Sequence, residues 1–168
     1  MLKILIEKWN KNKKHLENKL KETKMDYKYK DLVRWTFQYI YNIDVDIDES
    51  DKLDIDNITE IDNGSYQGTL LYVIPFDTYQ PCENEYLMTS VRYGSCSGCD
   101  TLLRIFDGFD YDDVNIEDYY YGESYPNKNQ LKDLMTLCLH ILQHTIRPYG
   151  SISGDNEEWE HLSIDEEY

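Results

Sequence analysis

The sequence predicts an α+β fold in a single domain: two N-terminal helices, a three-stranded antiparallel sheet and a C-terminal amphipathic helix packed on that sheet. Three observations predict it. Residues 2–22 and 129–147 repeat apolar side chains at helical spacing. Asn63-Gly64 sits between two segments rich in β-branched and aromatic residues. The strand-like segments follow one another as a hairpin meander, with no helix between them. The 168 residues suit one core, and 16 Tyr, 3 Trp and 4 Phe supply the apolar surface that a disordered chain lacks. Residues 1–150 are therefore assigned to the domain. Residues 151–168 form an acidic, flexible tail that Trp159 and Leu162 can dock on it.

In residues 2–22, Leu2, Leu5, Trp9, Leu16 and Leu20 fall on one stripe, interrupted at Lys13, with lysines over the rest of the surface. This predicts a basic helix packed through that stripe. Residues 31–42, DLVRWTFQYIYN, carry two stripes: Leu32, Trp35 and Tyr39 on one side, Val33, Phe37 and Ile40 on another. Such a helix is held between layers, unless Trp35 and Tyr39 face outward as interface anchors.

The acidic run that follows does not match a calcium loop, because Glu49 stands where Gly is required and Ile55 where Glu is required. Asp44, Asp46 and Asp48 form a solvated acidic edge open to casual cation binding. Strands are expected at 57–62 and 65–74, joined by a tight turn with positive φ at Asn63 and Gly64. A third, at 85–93, extends the sheet. After the turn Cys96-Ser97-Gly98-Cys99 comes a short apolar segment, TLLRIF, and then an acidic, tyrosine-dense stretch, 107–128. The last helix segregates Leu131, Leu134, Met135, Leu137, Cys138, Ile141, Leu142 and Ile146 on one face. Lys132, Asp133, Thr136, His140, Gln143, His144 and Arg147 take the other.

Charge is distributed unevenly. Of 17 Lys and Arg, 11 lie in residues 1–34, which leaves six against 28 Asp and Glu in residues 35–168. A surface of that sign repels nucleic acid, anionic membranes and phosphorylated substrates, and attracts basic proteins and cations. The opening MLKILIEKWNKN has neither a cleavage site nor a long apolar span, so an intracellular chain with reduced thiols is expected.

The CxxC pair has several readings. Cys96 and Cys99 with His140 and His144, at i and i+4 of a helix, have the donor types of a zinc tetrahedron, although the histidines fall on the polar face. A redox dithiol needs a thiolate at a helix start, and Asp100 next door is expected to raise the thiol pKa. A Cys–His nucleophile needs one of these thiols beside His140 or His144. Gly94 and Gly98 fit an anion nest or simply a tight turn.

The blocks YQGTLL, TYQP, YLMT and YGSCSGCDTL, within residues 64–103, resemble an uncharacterised family of small acidic proteins encoded by tailed bacteriophages. The resemblance implies a phage setting in a host bacterial cytoplasm, and carries no catalytic or ligand role to Cys96, Cys99 or Asp100. Together with the charge, it leads to the expectation of a non-enzymatic acidic protein that engages and inhibits a basic nucleic-acid-binding or defence protein, imitating the phosphates of a duplex. The expected contacts are Asp110, Asp112, Asp113, Glu117, Asp118, Tyr119, Tyr120 and Tyr121. The alternatives are a zinc- or thiol-dependent protein centred on Cys96 and Cys99, or a structural component of a virion.

Overall fold

A computed structural model describes residues 2–43, 51–82, 84–108 and 124–147. Its elements, in order, are α1 (Leu2–Lys21), α2 (Tyr29–Thr36) running into a π-helical turn (Phe37–Tyr41), β1 (Thr59–Asp62), β2 (Gly68–Pro75), β3 (Tyr86–Tyr93), α3 (Thr101–Asp107) and α4 (Lys128–Gln143). The expected α+β domain is the fold observed. Asp44, Asp46 and Asp48, the eight acidic and tyrosine residues between Asp110 and Tyr121, and the tail with Trp159 and Leu162 lie outside the described residues. Among the described residues, no helix is long and apolar enough to cross a membrane.

Leu5, Trp9, Leu16 and Leu20 are buried as the α1 stripe requires. The gap read at Lys13 is filled one residue earlier by Asn12, which is buried and donates its amide N–H to the Ile40 carbonyl at 3.1 Å. The π-helical turn that carries Ile40 closes where the Asn42 N–H reaches the Phe37 carbonyl at 3.0 Å. Leu32, Val33, Phe37 and Ile40 are fully buried, whereas Trp35 and Tyr39 are half-buried against the core. Trp35 is not a bare anchor: the Lys19 ammonium lies 4.9 Å above its ring and Tyr27 meets it edge-on at 4.9 Å.

The sheet is antiparallel in the order β1-β2-β3. The tight Asn63-Gly64 turn is corrected to a five-residue loop, 63–67, because Asp62 pairs with Leu70 and neither residue has positive φ. The Asn63 side chain accepts the Thr69 N–H at 2.8 Å and so stabilises the longer loop. Leu70, Tyr72 and Ile74 of β2 share the inward face with Leu87, Thr89 and Val91 of β3.

α4 packs on β3, and α1, α2 and α3 pack in turn on α4. Thr89 donates its hydroxyl to the Ile141 carbonyl at 2.7 Å, which fixes the helix against β3. Asn127 caps α4, and Gln130 reaches back to the Ile105 carbonyl of α3 at 2.9 Å. Leu134, Leu137, Cys138, Ile141 and Leu142 are buried as predicted. Ile146 is not: α4 ends at Gln143, and Ile146 is exposed in a backbone bridge to Met88 on the β3 edge. TLLRIF, read only as a short apolar segment, is helical as α3, capped by Asp100 and stopped by Gly108 at φ 64°.

Candidate functional site

The inward face of β1 departs from the usual alternation. Glu60 pairs with Tyr72 and Asp62 with Leu70, so both acids stand on the side where β2 carries its core residues, while Ile61 points to the other face and is 48% exposed. The helical layer does not cover β1, and all four of its residues are exposed. The uncovered space is an open cleft of about 320 Å³ between β1–β2 and the starts of α2 and α3.

Its floor is aromatic and aliphatic, from Tyr72 and Leu70 to Leu102 and Phe106. Its polar lining among the described residues is Glu60, Asp62, Asp100, the side chains of Tyr27, Tyr29, Tyr72 and Tyr93, and one cation, Lys28. Asp62 accepts hydrogen bonds from the Tyr93 hydroxyl at 2.8 Å and the Gly64 N–H at 2.9 Å. Neither Glu60 nor Asp62 forms an ion pair among the described residues. Their charge faces the cleft without a fixed counter-ion.

Asp100 is buried and fully engaged. Its carboxylate accepts the Tyr29 hydroxyl at 3.0 Å, the Gly94 N–H at 3.0 Å and the Leu103 N–H at 2.9 Å. The Tyr29 oxygen in turn accepts the Leu102 N–H at 3.0 Å. Two other hydroxyls differ. Those of Tyr72 and Tyr27 are shut off from bulk solvent, Tyr72 beside the Glu60 carboxylate and Tyr27 near Cys138, and neither makes a hydrogen bond of normal geometry. A buried hydroxyl left in that state costs about 1–3 kcal/mol. Burial first, and then the Glu60 carboxylate beside it, push the Tyr72 pKa up; burial likewise raises Tyr27 and Tyr29. The hydrogen bond to Asp62 raises Tyr93. These tyrosines are therefore neutral near physiological pH, suited to hydrogen bonding and not to acting as bases. Carboxylates over an aromatic floor have the chemistry to accept a cationic N–H group.

Cys96, Cys99, His140 and His144 do not converge as a zinc tetrahedron. Among the described residues no group of three or more His, Cys, Asp and Glu side chains is placed to hold a metal ion. The thiols lie in the turn before α3, and the histidines meet edge-on at the end of α4, with ring centroids 4.1 Å apart. Neither thiol hydrogen-bonds an imidazole, so the Cys–His nucleophile is not assembled either. The anion nest is excluded because the Gly94 N–H is taken by Asp100. Asp100 also fails to raise the neighbouring thiol: its charge is held by three donors, and the hydrogen bond from Cys96 keeps Cys99 below its ordinary value.

Sequence reasoning missed Glu60, Asp62, Tyr72 and Tyr27. One signal for them was present, since acids at alternate positions on an edge strand place negative charge on one face whichever way that face turns. No family model matches the chain, and no curated protein or solved structure matches it.

Proposed function

We propose that this is a non-enzymatic binding protein that receives a lysine or arginine side chain of a basic partner protein in the cleft between β1–β2 and α2–α3. The observation that supports this reading is the pair of carboxylates, Glu60 and Asp62, turned to one face over an aromatic and aliphatic floor with no ion pair among the described residues. An ammonium or guanidinium entering there neutralises the acids, while its aliphatic stem covers Leu70 and Leu102. The net charge of −16 steers such a partner from a distance and repels nucleic acid. Charge makes the partner class a protein whose own surface is built for phosphates, and the resemblance of residues 64–103 to phage proteins implies a nucleic-acid-binding or defence protein of a bacterial host, which occupancy of that surface inhibits.

The test is titration of the full chain with a lysine- and arginine-rich model peptide. Glu60→Gln with Asp62→Asn is compared against Glu22→Gln with Asp77→Asn, which removes equal charge away from the cleft. The cleft variant is expected to lose about tenfold in affinity, the equivalent of one charge-assisted hydrogen bond, and the control much less. Equal losses in both would reduce the interaction to non-specific attraction and overturn the proposal.

A further inference from the structure

The turn at residues 94–100 is built more tightly than a connection between a strand and a short helix needs. The N–H groups of Cys99 and Asp100 both reach the Cys96 carbonyl at 2.9 Å. The Cys96 N–H donates to the Cys99 sulfur at 3.2 Å, the two sulfurs lie 2.8 Å apart with either able to donate, and the Cys99 thiol reaches the Cys96 carbonyl at 3.2 Å. Both thiols are reduced and exposed to solvent. On the inner side the Cys99 sulfur rests on Gly94, where an added Cβ would stand 2.5 Å from it; on the outer side a Cβ at Gly98 would find nothing nearer than the Cys96 sulfur at 3.9 Å. The pair is thus pressed together from behind and open in front.

We propose that Cys96 and Cys99 form a thiol–disulfide exchange site, with Cys99 as the attacking sulfur, Cys96 as the resolving sulfur, and a small-molecule or protein disulfide as the substrate. The sulfurs need to close only from 2.8 Å to the bonded distance of about 2.05 Å, within a turn whose backbone hydrogen bonds are already made. Cys99 is the attacker because its sulfur collects the hydrogen bonds. The Cys96 thiol above all, and then the Cys96 and Ser95 backbone, favour its thiolate.

The exchange proceeds in two displacements. The Cys99 thiolate attacks one sulfur of the substrate disulfide, a new S–S bond forms, and the other substrate sulfur leaves as a thiolate that takes up a proton. Cys96 then gives its proton to solvent, its sulfur attacks the Cys99 sulfur, and the second substrate sulfur leaves and is protonated. The protein dithiol has lost two electrons and two protons to the disulfide, which is reduced to two thiols. Run backwards, the same steps oxidise a dithiol partner.

Cys82 is exposed as well, and it serves as the internal reference. The reduced full-length protein is treated with oxidised glutathione and analysed by intact mass and peptide mapping. The expected product is a Cys96–Cys99 disulfide, with loss of two hydrogens and no glutathione retained on either residue. Cys96→Ser is expected to hold one glutathione on Cys99, and Cys99→Ser to react at Cys96 more slowly, because the Cys96 backbone N–H is aimed at the Cys99 sulfur. Cys96 and Cys99 remaining reduced under conditions that modify Cys82 would overturn the proposal. Equal trapping rates in the two variants would overturn the assignment of Cys99 as attacker. Neither result bears on the cleft, whose test uses no thiol.

Discussion

The Tyr29 hydroxyl donates to the Asp100 carboxylate at 3.0 Å, joining residues 71 positions apart. This contact ties the start of α2 to the start of α3 and closes one end of the cleft. Because Asp100 accepts from three neutral donors and no cation, its removal leaves a backbone N–H at Gly94, another at Leu103 and the Tyr29 hydroxyl all without an acceptor. Asp100→Ala is expected to cost about 2–4 kcal/mol in urea unfolding, through one lost helix cap and two stranded donors. Tyr29→Phe costs less, about 1–2 kcal/mol. The double variant should fall short of the sum by at least about 0.5 kcal/mol, and strict additivity would show that the two groups do not interact.

Tyr72→Phe tests whether the Glu60 carboxylate engages the buried hydroxyl beside it. With no hydrogen bond of normal geometry to lose, removing the hydroxyl should leave the unfolding free energy unchanged or raise it by about 1 kcal/mol. A clear loss of stability in urea unfolding would mean that Glu60 already satisfies the hydroxyl in the free protein.

His140 gives the fold a dependence on pH. Burial, and then the neighbouring His144, hold its pKa below the ordinary 6.5. The unfolded chain therefore takes up a proton that the folded chain resists. The contribution is complete above pH 6.5 and is lost as the pH falls through the lower folded-state value. Thermal unfolding followed downward from about pH 8 should show a falling midpoint, and His140→Gln should flatten that fall before the carboxylates begin to titrate. An unchanged slope in the variant would assign the effect to other groups.

Gly94 and Gly98 lie four residues apart in one turn and are expected to respond oppositely to alanine. At Gly94 the added carbon would meet the Cys99 carbonyl oxygen at 2.6 Å as well as the sulfur, so Gly94→Ala should destabilise by about 1–3 kcal/mol. At Gly98 there is room, and Gly98→Ala should stay within about 0.5 kcal/mol of the parent protein. Differential scanning calorimetry of the two variants side by side checks both.

Much of the fold was legible because it depends on local periodicity. The stripes of α1 and α4 and the order of the three strands follow from spacing that any window of the sequence displays. Asn12 was missed because an amide scores as polar, and only the fold supplies the Ile40 carbonyl that makes burying it tolerable. Ile146 fits the helical wheel, yet Met88, far away in the chain, offers its backbone a better partner. The cleft was the least legible part: Tyr29, Glu60, Tyr72 and Asp100 come from four separate segments, and neither their spacing nor their composition announces that they meet. The overall negative charge was visible at once, but charge has no address until a strand turns its acids inward.

Among the described residues β1 is the outer strand of the sheet, while the opposite side, at Met88, is bridged by Ile146. A second β1 laid alongside it in register would set Glu60 and Asp62 against the same acids of the other copy, like sign facing like sign, which disfavours edge-to-edge pairing at that margin.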